Sequence, residues 1–368
     1  MKKVLFLIHD LGQGGAEKVL VNLVNHMDTS QFDITVMSLF DIGVNKQFLN
    51  PSITYKSCFK KMPRGNSHFM KLLSPHQLHK WLIKEHYDIE IAYLEGPCAR
   101  IISGCPHKDT KLVSWIHIQQ HTKKRAASSF RSVKEAESCY NRMDQIVCVS
   151  RGVQKDFLSL LNICAPVQVL YNTNESDKIR ELAKEPVSSL SKDCIKLVGV
   201  GKLLKSKGFD RIVRIVGRLR AEGHPLHLYL LGTGPEQNNL ESLIGQLGLT
   251  EHVTFLGYQT NPYQFLSKCD LFVCASFAEG FSTAATEALI VGTPVCTVEV
   301  SGMREMLGEN NEYGIVTKND ENALYEGIKT LLDDPALLQH YANQANLRGK
   351  DFSTEETVRS VESMLLSV

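Results

Sequence analysis

A chain of 368 residues with 43% hydrophobic and 22% charged side chains is too apolar to stay disordered and too long for one comfortable core, so two domains of ordinary size are expected. The net charge of +1 argues against a nucleic-acid binder, but it hides an asymmetry. Residues 1–175 carry 22 Lys/Arg against 15 Asp/Glu, while 176–368 carry 19 against 25, so the first half is the one suited to an anionic partner.

The first eight residues imitate a signal peptide. The apolar run stops after five residues at His9-Asp10 with no cleavage site behind it, so it reads as a buried strand over 3–8. The loop Gly12-Gln-Gly-Gly-Ala-Glu17 follows, then a helix with Ala16, Leu20, Leu23, Val24 and Met27 on one face. Further strands are expected over 33–39, 89–94, 112–116, 145–149 and 167–171. A polar, Ser-rich stretch at 172–194, with a helix near 177–183, reads as the connection between domains. Beyond it, strands over 196–200, 226–231, 253–256, 271–274 and 294–298 alternate with helices. Ser353-Thr-Glu-Glu356 is a capping box opening a last helix over 353–366. Continuous apolar strands separated by helices mean parallel sheets covered on both faces. No apolar run approaches the ~18 residues a membrane span needs. The ten cysteines show no C-x-x-C spacing and most sit in apolar runs, as buried thiols of a cytosolic protein do.

Three glycine loops follow strands, but each lacks the third glycine of a dinucleotide fingerprint, having Glu17, Leu204 and Gln237 there. A P-loop, an H-E-x-x-H pair and a G-x-S-x-G elbow are also absent, and no metal-ligand spacing is present. What stands out is Glu279-Gly-Phe-Ser-Thr-Ala-Ala-Thr-Glu287, placed after the strand 271–274 and opening a helix. Free N–H groups and the helix dipole make such a turn an anion site, and carboxylates beside it suit sugar hydroxyls. Upstream, Gly201-Lys-Leu-Leu-Lys-Ser-Lys-Gly208 puts Lys202 and Lys207 on a strand-to-helix turn, where two ammonium groups can clasp a diphosphate. Gly14-Gly15 lets a ligand approach the first helix of the first half.

In this order, the E-x7-E motif at 279–287, the Val200-Gly-Lys-Leu loop, Gly14-Gly-Ala-Glu17 and Ser301-Gly-Met-Arg-Glu305 resemble a family-4 glycosyltransferase over nearly the whole chain. The resemblance implies the GT-B architecture, two Rossmann-like doubly wound parallel-sheet α/β domains facing a central cleft. The domains would be an acceptor-side 1–175, joined by the helix 353–368, and a donor-side 176–352. It implies that Lys202 and Lys207 hold the donor diphosphate, and that Glu279, with Gly280, Phe281 and Ser282 alongside, holds the transferred sugar. Glu287 would meet the ribose, and His117, after the strand 112–116, would face the donor sugar. Lys202 stands where the family commonly has Arg, and the turn reads Gly-Phe-Ser where Gly-Phe-Pro is frequent.

The implied reaction is transfer of a hexose with retention and without a metal or other cofactor. A UDP-sugar is the expected donor, with GDP-mannose next, and a glycan or lipid-linked acceptor receives the sugar in cell-surface polysaccharide biosynthesis. A nucleotide-sugar epimerase of the same architecture and a catalytically silent sugar-binding protein are the alternatives. Lys56, Lys60, Lys61, Arg64 and Lys71 surround Phe59, Met62, Phe69, Met70, Leu72 and Leu73, and Lys123, Lys124, Arg125 and Arg131 form a second basic cluster. These form either a solvated face or a patch resting on anionic lipid. The expected location is cytoplasmic, at most peripheral on the inner face of the plasma membrane.

Overall fold

The computed structural model describes residues 1–61, 70–187, 190–191 and 193–368. The chain divides into two compact units, one of Met1–Thr173 with Glu355–Val368 and the other of Asn174–Thr354.

The first unit holds strands β1 (Lys2–Ile8), β2 (Phe32–Phe40), β3 (Thr54–Phe59), β4 (Ile89–Ala92), β5 (Lys111–Ile116), β6 (Gln145–Cys148) and β7 (Val167–Val169), all parallel, in the order β3-β2-β1-β4-β5-β6-β7. Residues 4–8 of β1 are fully buried, as a central strand covered on both faces must be. The helix Gly15–His26 packs Val19, Leu20, Leu23 and Val24 inward. The second unit holds β8 (Ile195–Val200), β9 (Leu226–Leu231), β10 (Val253–Gly257), β11 (Leu271–Cys274), β12 (Val295–Val298) and β13 (Ile315–Thr317), parallel in the order β10-β9-β8-β11-β12-β13. Its core joins β8, β9 and β11 to Ile212, Val213, Ile215, Val216 and Leu219 on one face of the helix Phe209–Ala221.

Both sheets were expected; two of their strands were not. β3 and β13 lie at sheet edges. A strand with one neighbour can alternate or stay short, and Thr54–Phe59 has only partly buried or exposed residues while β13 spans three. A search for continuous apolar runs passes over both.

Each sheet reverses its winding once, between β1 and β4 in the first and between β8 and β11 in the second. The loops that leave those strands at their carboxyl ends diverge and leave a crevice, which is where open α/β sheets bind ligands. The last helix, Thr354–Ser367, belongs to the first unit through Val358, Val361, Met364 and Leu365. There Lys2 Nζ donates to the Leu365 carbonyl at 3.1 Å, and the Asp28 amide donates to Glu362 Oε1 at 2.6 Å. Among the described residues no helix is long and apolar enough to cross a membrane.

Candidate active site

At the reversal of the second sheet, the loop after β8 and the loop after β11 meet. Lys207 Nζ bonds Glu279 Oε1 at 2.6 Å, and Ser276 Oγ donates to the same oxygen at 2.7 Å. Both hydrogen bonds of this carboxylate among the described residues fall on Oε1, so Oε2 keeps its lone pairs for a ligand donor. Burial pulls the Lys207 ammonium down, but the charge and hydrogen bond of Glu279 outweigh it and hold its pKa above the ordinary value. The lysine therefore stays cationic. Lys202 lies exposed on the turn just after Gly201.

Two glycines fix these loops. Gly208 has φ +64, and a Cβ there would lie 2.2 Å from the Ala275 carbonyl oxygen, so the lysine turn sits directly on the end of β11. The Phe277 amide donates to the Ser206 carbonyl at 2.8 Å and closes the same contact. Gly302 has φ +80, and its Cβ would meet Phe281 Cδ2 at 2.8 Å and the Gly280 carbonyl at 2.9 Å. The Ser301–Glu305 loop thus supports the Glu279 turn from behind. Phe281 is buried edge-on against Phe352, with centroids 6.2 Å apart. Ser282 is the N-cap of the helix Thr283–Ile290, accepting from the Ala285 amide. Glu287 is buried in the second turn of that helix. The helix Phe209–Ala221 also begins here, so two helix N-termini add positive potential beside Lys207.

Sequence reasoning missed three supports of this site. Ser276 orients Glu279. Arg211, buried, donates to the Ala275 carbonyl at 3.1 Å and to Asn319 Oδ1 at 2.8 Å, while Asn319 Nδ2 donates to the Ser276 carbonyl at 3.3 Å. A charge among the apolar positions of the helix was the available signal for Arg211; Asn319 follows β13, which went unseen.

In the first unit, Gly14 caps the helix Gly15–His26 with φ −87, a conformation any residue adopts, so the glycine there only leaves space open. That space faces the Glu17 carboxylate, 1.9 Å from where a Cβ would stand. A carboxylate at this helix start disfavours a phosphate there and suits a hydroxyl ligand. His117 follows β5. Its ring lies 4.9 Å from that of Tyr93, its amide donates to Glu95 Oε2 at 3.0 Å, and its Nε2 is buried with no hydrogen-bond partner. Burial drives the ring's pKa down to about 3 against an opposing hydrogen bond to the Tyr93 backbone. The ring is neutral and Nε2 is a lone-pair acceptor. Lys207, Glu279, Gly280, Phe281, Ser282 and Glu287 thus belong to one loop-and-helix assembly in the second unit; Gly14, Gly15 and His117 lie at the carboxyl ends of β1 and β5 in the first.

The basic clusters change character. Met62, Arg64 and Phe69 lie outside the described residues. Phe59 packs against Phe40 and Trp81 and Met70 is buried, so neither belongs to an exposed apolar face, while Leu72 is 73% exposed. Lys56 is paired with Glu85. Arg131 donates to the carbonyls of Lys71 and Leu72 at 2.6 and 2.8 Å, which sets one member of the second cluster against the end of the first.

Among the described residues, two groups in the first unit place potential metal ligands within 4.8 Å of one another: His79, Glu90 and Cys105, all buried, and His86, His107 and Asp109, exposed. Each is drawn from separate segments, so linear spacing does not reveal it. In the first, His79 Nε2 and Glu90 Oε2 already bond each other at 2.7 Å.

Both halves of the chain resemble known proteins. Residues 13–174 match Glycosyltransferase Family 4, and residues 182–348 match the glycosyl transferases group 1. The chain is 29% identical, over all of both chains, to an N-acetylgalactosamine-N,N'-diacetylbacillosaminyl-diphospho-undecaprenol 4-alpha-N-acetylgalactosaminyltransferase of Campylobacter jejuni. A lipopolysaccharide core biosynthesis glycosyltransferase of Rhizobium meliloti, LpsD, is 25% identical over 90% of this chain and 88% of its own. Among solved structures, HepE of Anabaena in complex with UDP superposes over the whole of both chains with a TM-score of 0.79 at 20% identity. With two parallel Rossmann-like sheets and both halves matched, the chain belongs to the family-4 glycosyltransferases and has the GT-B fold.

Proposed function

We propose that this glycosyltransferase moves a hexose or N-acetylhexosamine from a UDP-sugar to a lipid-linked glycan, with retention at the anomeric carbon and without a metal ion. The observation that carries the reading is the Lys207–Glu279–Ser276 cluster at the reversal of the second sheet, flanked by two helix N-termini. Its cation and amide dipoles suit a diphosphate, and the remaining oxygen of Glu279 suits a sugar hydroxyl. The Campylobacter relative, named for an undecaprenyl-diphosphate glycan acceptor, and the UDP bound to HepE support the acceptor and donor classes.

In this reading the bond from the anomeric carbon to the β-phosphate oxygen breaks as the acceptor oxygen bonds the same face. Negative charge grows on the departing UDP, and Lys202, Lys207 and the helix ends stabilise it. The acceptor proton passes to the leaving phosphate, so no carboxylate acts as nucleophile. Lys60, Lys61, Lys71, Lys123 and Lys124, with Leu72, form the face proposed to rest on anionic lipid beside a lipid-linked acceptor.

The test is a panel of UDP- and GDP-sugars with a polyprenyl-diphosphate-linked disaccharide, in EDTA, following nucleotide release and the anomeric configuration of the product by NMR. Transfer from a UDP-sugar with an α-linked product is expected. Epimerised donor with no acceptor product, or activity that EDTA abolishes and Mn2+ restores, overturns the reading.

A further inference from the structure

Residue 117 is gripped by one short segment. Tyr93 lies against its ring and receives the ring's hydrogen bond on its backbone, while Glu95, two residues on, accepts the His117 amide on Oε2. The other oxygen of Glu95 accepts from Gln120 Nε2 at 3.2 Å, and the Gln120 amide is fixed by Asp156 Oδ2 at 2.7 Å. Two separate N–H donors thus meet two acceptor atoms. A carboxylate presents both; an amide at this position presents one oxygen and an NH2 that clashes with the second donor.

Burial pushes the Glu95 carboxyl up, while hydrogen bonds from the His117 amide and its own amide, the charge of Arg125 and the Gln120 amide oppose it. Among the described residues no lysine or arginine forms a contact ion pair with it, so this half-buried carboxylate is held by hydrogen bonds and a cation at longer range, an arrangement that a neutral, well-packed side chain could replace at little cost to stability. Its location is informative. β4 is the first strand past the reversal of its sheet, so Glu95 holds in the first unit the topological position that Glu279 holds after β11 in the second. Both carboxylates are oriented by loop neighbours at a crevice where ligands bind.

We propose that Glu95 is a positioning residue for sugar transfer, holding His117 so that Nε2 accepts a hydrogen bond from a substrate hydroxyl at the reversal of the first sheet. The ligand class follows from the acceptor. A phosphate oxygen there would set its lone pairs against that of Nε2, whereas a sugar hydroxyl supplies the donor that Nε2 lacks. The assignment deepens the transferase reading and rests on it for the identity of the substrate.

The experiment compares Glu95→Gln, Glu95→Asp and His117→Ala in the full chain. It measures UDP release with the lipid-linked disaccharide, UDP affinity by calorimetry, melting temperature, and the side-chain 15N signals of His117. Glu95→Gln is expected to lower kcat by about tenfold to a hundredfold, the worth of one charge-assisted hydrogen bond. UDP affinity should change by less than about twofold, since the UDP-binding groups lie in the second unit. The 15N signals should move from a single neutral tautomer toward a mixture, and Glu95→Asp should recover part of both effects. If His117→Ala is impaired while Glu95→Gln turns over like wild type, the Glu95 assignment falls and the transferase reading stands. Loss of UDP affinity, melting temperature and kcat together would make Glu95 a fold residue and overturn the assignment. Should the wild type release no UDP, the transferase reading falls and takes the substrate assignment with it; unchanged His117 signals in Glu95→Gln would then remove the positioning role as well.

Discussion

Lys207 has three N–H groups, and its one side-chain hydrogen bond among the described residues goes to Glu279, so the remaining donors can reach phosphate oxygens without releasing the carboxylate. Lys207→Ala should therefore lower kcat/KM by about one to two decades, read from steady-state kinetics, by removing a charge-assisted contact from the transition state. Ser276→Ala should have a smaller effect, about three- to tenfold, because Glu279 then keeps only its lysine. Two histidines set opposite pH limbs. Burial opposes charge on His79, but Cys105 and Glu90 outweigh it and raise its pKa to about 9. Its contribution to stability is present below the unfolded value of 6.5 and is lost as pH rises through 9. For His117, at about 3, the contribution is present above 6.5 and is lost as pH falls toward 3. Urea unfolding as a function of pH should show His79→Gln flattening the alkaline limb and His117→Gln the acid limb. Contiguous motifs made much of the site legible. Glu279, Ser282 and Glu287 share one turn and one helix, and Lys207 sits in one loop. Asn319 and Glu95 were not legible, because sheet order and not chain order brings them to their partners, whereas Ser276, three residues before Glu279, was within reach of a local reading and was passed over.

The elements that carry the site are loops at carboxyl strand ends, and their glycines separate conformational strain from collision. Gly208 and Gly223 both have positive φ, +64 and +94, but a Cβ at Gly208 strikes the Ala275 carbonyl while one at Gly223 meets nothing within 4 Å. Gly223→Ala should cost about 1–2 kcal/mol, the left-handed penalty alone. Gly208→Ala should cost more and also weaken UDP binding, since the lysine turn must lift from β11; parallel urea melts and calorimetry distinguish the two effects. The alternation of continuous apolar strands with amphipathic helices made the parallel sheets legible. β3 and β13 were not, because an edge strand needs no continuous apolar run. Their order in the sheets, and so the reversal points, could not be read without pairing.

For the whole molecule, the same winding occurs twice, and the chain returns from the second unit to complete the first with Thr354–Ser367. Val358, Val361, Met364 and Leu365 are all buried there, and at roughly 1.5–3 kcal/mol each they are worth on the order of a domain's entire stability. Ending the chain after Ser353 should abolish the cooperative melting of the first unit while UDP still raises the melting temperature of the second. Equal loss of both transitions in calorimetry would contradict this division.

That return also sets an order of events during synthesis. β1 leaves the ribosome long before the last helix, yet the carbonyl that Lys2 meets belongs to Leu365. The second unit, Asn174–Thr354, is continuous and can close as soon as its own residues have emerged. The first must wait through the whole of that interval with the flank that will receive Val358, Val361 and Met364 still open. Nascent-chain proteolysis should accordingly find the later-made unit protected first, and the earlier-made one dependent on whatever shields that flank until residues 355–368 arrive.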